Sequence, residues 1–260
     1  MEHPFIDHYA GLDSLVHRLD PRVKVVTALV AVAAIVSLRS VPGLLGALAL
    51  LALLARIAGL PLHYLLARMA WVLPFSGTLL LVMPFLHTGN PLFRLEVGPF
   101  AVTAGLEGLA RAVVYSLRLA GSLLAAVLLT STTRFSRLLR AMEELGLPGV
   151  FTRVVDFGVR YSFLLVDELQ RMQRARYSRG FVPRSILQRL TAGSLGETAG
   201  ALFLRSLERA DRVHRAMLSR NYAGDFRGRT MGPVKMAEVG QGLLVAGLAL
   251  LLVILERGWR

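Results

Sequence analysis

The sequence predicts an all-α integral membrane protein with about five transmembrane helices and a cytoplasmic domain of amphipathic helices inserted before the last span. Of its 260 residues, 54% are hydrophobic, which is more apolar side chain than a soluble core of this size needs. Long apolar runs lie in the first half and at the end of the chain, and a strongly basic region separates them. The chain has no Cys, which excludes disulfides, thiolate metal ligands and Cys nucleophiles.

Five apolar runs approach the roughly 20 residues that a helix needs to cross a bilayer. They lie at 22–38, 43–59, 70–87, 108–131 and 237–256. The fourth run contains Arg111 and Arg118, and a charged side chain in hydrocarbon is costly. We therefore expect these two residues to lie near a membrane interface or to face protein.

Charge predicts which side of the membrane each segment occupies. Residues 134–235 hold 19 Lys or Arg and 9 Asp or Glu, and so carry +10 of the formal net charge of +13. The positive-inside tendency places this region and the N-terminus in the cytoplasm and the C-terminus outside, although two Arg after the last span oppose that orientation. We expect a multi-pass protein of the inner (plasma) membrane, with domains at 1–133, 134–235 and 236–260.

The segment LDPRVK at 19–24 has the pattern of a helix start. Asp20 is expected to cap the first turn, and Pro21, whose fixed φ suits the first helical position, to begin the helix. Arg22 and Lys24 are then expected at the cytoplasmic headgroups. We interpret this helix-start motif of Asp20, Pro21 and Arg22 as structural rather than as part of a transport path.

The basic region is predicted to be helical, because apolar side chains recur along it at helical spacing. The apolar face holds Leu165, Leu169 and Met172 in one long helix and Leu207, Ala210, Val213 and Met217 in a second. A shorter amphipathic helix precedes them in RFSRLLRAMEELGLPG at 134–149, where Gly and Pro stop it.

Each long helix is expected to end in a similar basic segment, RARYSRGF at 174–181 and RAMLSRNY at 215–222. The last Arg of each segment is followed by a residue that tolerates a left-handed backbone, Gly in the first and Asn in the second. Two interpretations are open for these Arg residues. Each can compensate the negative end of its helix dipole, or the pair can present two similar surfaces to two similar sites on a partner.

Other chemistries find little support in the sequence. There is no G-x-x-x-x-G-K-[ST] phosphate loop, so the sequence does not predict an ATPase. The six His show no ligand spacing, and we expect no metal site and no cofactor on this chain. No acidic pair or nucleophile motif predicts an enzyme. The basic region lacks the interleaved aromatic residues of a nucleic-acid surface, and anionic lipids of the bilayer are its expected counterions.

The sequence resembles the CbiQ/EcfT family, the transmembrane (T) components of energy-coupling factor transporters, and most closely the CbiQ type of cobalt uptake systems. The matching segments are 9–26, 116–133, 138–148 and the two Arg segments. The resemblance places Ser178, Arg179, Gly180, Ser219, Arg220 and Asn221 at the family's paired Ala-Arg-Gly coupling motifs. The chain departs from those motifs by having Ser before each Arg and Asn in place of the second Gly.

The resemblance implies a scaffold rather than a catalyst. The T component of such transporters joins two ATP-binding cassette ATPase subunits to a separate substrate-binding membrane subunit, and its cytoplasmic helices insert into grooves on the ATPases. Cobalt is the substrate that the resemblance implies, with nickel or a vitamin as alternatives. A stand-alone secondary carrier is the other class considered. A carrier would normally show repeats within its spans, whereas the repeat here lies in the cytoplasmic helices.

Overall fold

The structure is a computed structural model that describes residue 12 and residues 14–86, 91–97, 100–180, 189–222, 232–234 and 236–258. The chain forms two compact units. The first, here called the membrane unit, consists of Met1–Gly146 and Gly232–Arg260, and the second, the helix-pair unit, of Leu147–Met231. The expected division into a membrane domain at 1–133, a cytoplasmic domain at 134–235 and a last span at 236–260 stays a prediction.

Most elements belong to the membrane unit. They are α1 (Leu15–Arg18), α2 (Pro21–Ser37), α3 (Val41–Ile57), α4 (Leu62–Met69), α5 (Val72–Leu86), β1 (Pro91–Val97), β2 (Phe100–Gly105), α6 (Leu106–Thr132), α7 (Phe135–Glu144) and α10 (Met236–Gly258). The helix-pair unit contains α8 (Gly149–Ser178) and α9 (Arg189–Ser219).

The helices follow the apolar runs of the sequence. Among the described residues, α6 and α10 are each long and apolar enough to cross a membrane, and α4 with α5 makes a third candidate that is bent by 44° at its break. Helix α3 is a shorter apolar helix of 17 residues, and α2, also of 17 residues, covers the first predicted run. The predicted class, an all-α integral membrane protein, is confirmed.

A β-hairpin between α5 and α6 was not predicted. Strands β1 and β2 pair antiparallel, with a register that runs from Phe93 opposite Ala104 to Val97 opposite Phe100. The predicted spans at 70–87 and 108–131 leave this segment only as a connection between them. The local pattern does favour a strand, because Phe93, Leu95 and Val97 alternate with charged residues.

The core of the membrane unit lies where α2, α3 and α6 meet, around Ile35, Leu44, Leu51 and Leu124. A separate close approach joins α6 to α5 at Gly108. A Cβ atom added to Gly108 would lie 2.6 Å from the carbonyl oxygen of Met83 and 2.7 Å from the Cα of Pro84. Such distances are far inside van der Waals contact, so only glycine fits without a backbone shift.

Helix α10 is fastened to both ends of α2 by carboxylates. Glu238, in its first turn, accepts a hydrogen bond from the backbone N–H of Asp20 at 2.9 Å. Glu256, near its end, accepts from the N–H groups of Arg39 and Ser40 at 2.8 and 2.6 Å. The start of α10 therefore lies at the start of α2, and the two helices run parallel. Helices α2 and α10 cover the first and fifth predicted spans. Because successive spans cross the membrane in alternating directions, the first and fifth are expected to run in the same direction.

Arg118 also binds the end of α2. Its Nε and Nη2 atoms donate to the carbonyl oxygen of Leu38 at 2.9 and 2.6 Å, and its guanidinium lies 5.5 Å from the ring centre of Tyr115. A helix leaves its last carbonyl groups without intrahelical donors, so Arg118 satisfies one that would otherwise be costly near a membrane. Of the two expected environments, Arg118 thus faces protein, whereas Arg111 is exposed.

Candidate functional site

The first candidate segment forms the end of α8. Ser178 is the last helical residue, Arg179 follows it, and Gly180 has a φ of +80°. The N–H of Gly180 donates to the carbonyl oxygen of Tyr177 at 3.0 Å. Arg179 is exposed, and the Ser178 hydroxyl donates to a carbonyl oxygen of its own helix. Phe181, the last residue of the quoted segment, lies outside the described residues.

The second segment ends α9 in the same way. Asn221 has a φ of +59°, and its N–H donates to the carbonyl oxygen of Leu218 at 3.0 Å. The N–H of Tyr222 donates to the carbonyl oxygen of Met217 at 3.1 Å, which completes a Schellman motif. Arg220 is exposed, like Arg179. The predicted left-handed backbone after each Arg is confirmed. Each of the two exposed Arg residues is therefore located at a capped helix end.

Asn221→Val should destabilise the end of α9, whereas Asn221→Gly should not. A β-branched residue is a severe outlier at positive φ, with a cost of about 1 to 3 kcal/mol, while glycine adopts this backbone freely. The measurement is thermal unfolding of the two purified variants. Hydrogen exchange at the N–H groups of Asn221 and Tyr222 in the wild type, and at the same two positions in the variants, reports on the cap itself. Equal stability of the Val and Gly variants would show that the left-handed cap is unimportant.

Side-chain contacts show that α8 and α9 run antiparallel. Near the end of α8, Arg176 donates to the carbonyl oxygen of Ser194 at 2.6 Å, close to the start of α9. Farther back along α8, Glu168 pairs with Arg205. Arg220 lies 26 positions after Ser194. At a rise of about 1.5 Å per residue, Arg220 is therefore roughly 35 to 40 Å from the end of α8, which lies beside Ser194. The two candidate Arg residues thus lie at opposite ends of the helix pair.

An open apolar groove of about 340 Å³ lies between the two helices. Its walls include Phe157, Tyr161 and Leu165 from α8 and Ala210, Val213 and Met217 from α9. Of the predicted apolar faces, Leu165, Ala210, Val213 and Met217 line this groove, whereas Leu169, Met172 and Leu207 do not, and Leu207 is half exposed. Within the described residues there is no group of three or more His, Cys, Asp or Glu that could hold a metal ion. The arrangement suits binding by shape and charge.

The helix-start motif forms a second cluster, in the membrane unit. Asp20 caps α2 by accepting from the backbone N–H of Arg22 at 2.8 Å, and Pro21 is the first helical residue, as predicted. The Nη2 atom of Arg22 pairs with the carboxylate of Glu144 and donates to the carbonyl oxygen of Gly232 at 3.2 Å. The side chain of Arg22 is only 19% exposed. Its partners are thus protein groups.

Lys24 was expected at the headgroups, and this prediction is wrong. The residue is 6% exposed, and its ammonium donates to the carbonyl oxygens of Thr132 at 3.0 Å and His17 at 3.2 Å. Thr132 is the last residue of α6, so its carbonyl oxygen has no intrahelical donor and the buried Lys supplies one. The sequence could not reveal this contact, because the two residues are far apart in the chain.

Glu144, Glu238 and Glu256 also hold the membrane unit together, and the sequence analysis did not single them out. A signal was present for two of them. Glu238 and Glu256 are acidic residues at the two ends of an otherwise apolar run. Their separation of 18 positions is close to the 17-residue length of α2. A carboxylate at each end of a span can therefore indicate a neighbouring span of matching length.

Comparison with known proteins gives relatives along the whole chain. An EcfT transmembrane protein of energy-coupling factor transporters from Heliobacterium modesticaldum is 34% identical over 93% of this chain and 92% of its own length. The EcfT protein of Bacillus subtilis is 30% identical over 88% of each chain. The cobalt transport protein CbiQ of Rhodobacter capsulatus is 26% identical over 59% of this chain and 62% of its own length.

The family comparison covers both candidate clusters. A sequence model of the CbiQ family, described as cobalt transport proteins, matches residues 13–231. The matched range begins before the helix-start motif and extends past the end of α9, so it includes Asp20, Arg179 and Arg220. Together with the helical membrane architecture, this match shows that the chain belongs to the CbiQ cobalt transport protein family.

Proposed function

We propose that this protein is the energy-coupling transmembrane subunit of an ECF-type ABC importer. In this role it transmits conformational change from two ATP-binding cassette ATPase subunits to a substrate-binding membrane subunit, and it does no catalysis itself. The transported substrate that family membership favours is cobalt ion, with nickel or a vitamin as the alternatives. Its setting is the inner (plasma) membrane, with the N-terminus and residues 134–235 on the cytoplasmic side.

The observation that carries the proposal is the matched pair of helix ends. Arg179 and Arg220 are both exposed and both precede a left-handed residue, and the antiparallel arrangement of α8 and α9 sets them at opposite ends. Two separate subunits of one kind need two separate but similar contacts. Arg suits such contacts, because its planar fork of N–H donors can bind carboxylates or carbonyl oxygens in a fixed geometry.

Co-purification tests the proposed role most directly. The chain is expressed together with the subunits encoded beside it, extracted in mild detergent and recovered by a tag on this chain. Recovery of an ATPase pair supports the coupling role. Transport of cobalt ion by this chain alone in liposomes would contradict it and favour a secondary carrier.

A thiol-labelling experiment tests the proposed topology. Because the chain has no native Cys, Ser178→Cys or Ser219→Cys introduces a unique thiol at an exposed helix end. We expect a membrane-impermeant maleimide to leave both thiols unlabelled in intact cells and to label them in inverted vesicles, since both helix ends are proposed to be cytoplasmic. Labelling in intact cells would overturn the proposed orientation.

A further inference from the structure

Arg22 contacts the two places where the chain leaves and rejoins the membrane unit. The helix-pair unit comprises Leu147–Met231. One partner of Arg22, Glu144, is the last residue of α7, just before that unit begins. The other, Gly232, is the first residue of the chain after that unit ends. A single guanidinium at the start of α2 thus holds both connections.

The ion pair in this clasp, here meaning Arg22, Glu144 and Gly232, is largely shielded from water. The side chains of Arg22 and Glu144 are 19% and 24% exposed. Attraction between charges is stronger in such surroundings than on an open surface, where ion pairs contribute little. The clasp is therefore suited to keep the two connections at a fixed position against α2.

Part of the clasp is unsatisfied. The Nε–H group of Arg22 is buried and, within the described part of the chain, has no hydrogen-bond acceptor. Oδ1 of Asp20 lies 3.9 Å from this nitrogen. A buried donor without a partner is costly, and a small turn of the guanidinium toward Asp20 would satisfy it at the expense of the Nη2 contacts. Arg22 thus has a second acceptor within reach when Glu144 or Gly232 moves.

We infer that Arg22 is a positioning residue that transmits movement of the helix-pair unit to the membrane helices. The inference rests on the proposed coupling role. Two covalent connections join the helix-pair unit to the membrane unit, and the clasp joins both of them to α2. Helix α2 is a rigid rod whose other end is held by Arg118 and Glu256. Without the clasp, the connection at Gly232 loses this contact with α2, and the connection at Glu144 keeps only the packing of α7 on α2.

The test follows α2 at the end opposite the clasp. Arg39→Cys places a unique thiol in the exposed turn after α2, and its maleimide labelling rate is measured with and without ATP in the purified complex with both ATPases. We expect ATP to change the rate when Arg22 is intact. In the Arg22→Ala background, the ATPases should still be recovered and hydrolyse ATP, but most of the ATP-induced change should be lost, because the contacts with both Glu144 and Gly232 are removed.

Further variants separate the clasp from a general effect on stability. Glu144→Gln should weaken the ATP response in the same direction, and Arg22→Ala with Glu144→Gln should be no worse than Arg22→Ala, because both changes remove one interaction. Arg22→Lys should keep part of the response, since it keeps the charge. Arg56→Ala is the matched control, because Arg56 is an exposed Arg in the last turn of α3 and should leave the response unchanged.

Each other outcome overturns the inference. An ATP response in Arg22→Ala equal to that with Arg22 intact would show that movement does not pass through the clasp, and additive effects of the two changes would show that they do not act as a pair. Loss of the ATPases from Arg22→Ala would assign Arg22 to assembly instead. Failure to recover ATPases with the unmodified chain would overturn the proposed function as well. Recovery of the ATPases with an ATP response that is the same with and without Arg22 would overturn the inference alone.

Discussion

Replacing both Arg179 and Arg220 with Ala should nearly abolish transport and ATPase recovery, while the protein still inserts and folds. Each side chain is proposed to reach one ATPase subunit, and losing one charge-assisted contact costs about 1.5 to 3 kcal/mol. Because the two contacts are proposed to lie on different subunits, their losses should add. Folding should survive, since both side chains are exposed and the caps behind them are made by backbone groups.

The measurement combines ATPase co-purification with uptake of radiolabelled cobalt ion for each single variant and the double variant. Arg179→Lys and Arg220→Lys should rescue only partly, because Lys keeps the charge without the planar fork. Arg160→Ala is a matched control, since Arg160 is 63% exposed on α8 and pairs with Asp156 of its own helix. Wild-type recovery and uptake in the double Ala variant would return both residues to simple compensation of the helix dipole.

Gly108→Leu should prevent the normal packing of α6 on α5. Even the Cβ of Gly108→Ala would meet backbone atoms of Met83 and Pro84, which cannot turn away as a side chain can. Overpacking costs typically about 1 to 3 kcal/mol for small additions, which outweighs the gain of up to about 1 kcal/mol from replacing a helical Gly by Ala. The Leu side chain adds three further carbons at the same contact, so its effect should be larger.

Thermal unfolding in detergent, followed by the loss of the monodisperse peak on size-exclusion chromatography, measures this effect. The expected order of stability is wild type, then Gly108→Ala, then Gly108→Leu. Gly247 offers the matched control within α10, because a Cβ there would meet nothing within 4 Å, and Gly247→Ala should not destabilise the protein. A Gly108→Ala variant as stable as Gly247→Ala would refute the close approach of α6 to α5.

The features that the sequence predicted well are those set by neighbouring residues. The left-handed backbone at Gly180 and Asn221 follows from residue type at a helix end, and the Asp20 cap follows from the residues just after it. The long apolar runs became helices for the same reason, since length and hydropathy are local properties. The assignment of the two Arg residues to ATPase contacts stays a prediction, because it depends on partner chains.

Two of the features that the sequence did not reveal depend on distant residues. Lys24 is buried because the end of α6 brings unpaired carbonyl groups to it, and Arg118 takes the second of its two expected environments, facing protein, because the end of α2 lies beside it. Neither pairing has a signature in the surrounding sequence. The break between α4 and α5 was missed for another reason: the predicted run at 70–87 began inside it, since apolar residues continue through the bend.

The parallel pairing of α2 with α10 has a consequence for biosynthesis. The ribosome makes α2 early and α10 last, yet Glu238 and Glu256 of α10 supply acceptors to backbone N–H groups at both ends of α2. Until α10 has been synthesised, these N–H groups of α2 lack the acceptors that Glu238 and Glu256 supply. The packing of α10 on α2 therefore forms only after the ribosome has made the helix-pair unit, which lies between the two helices in the chain.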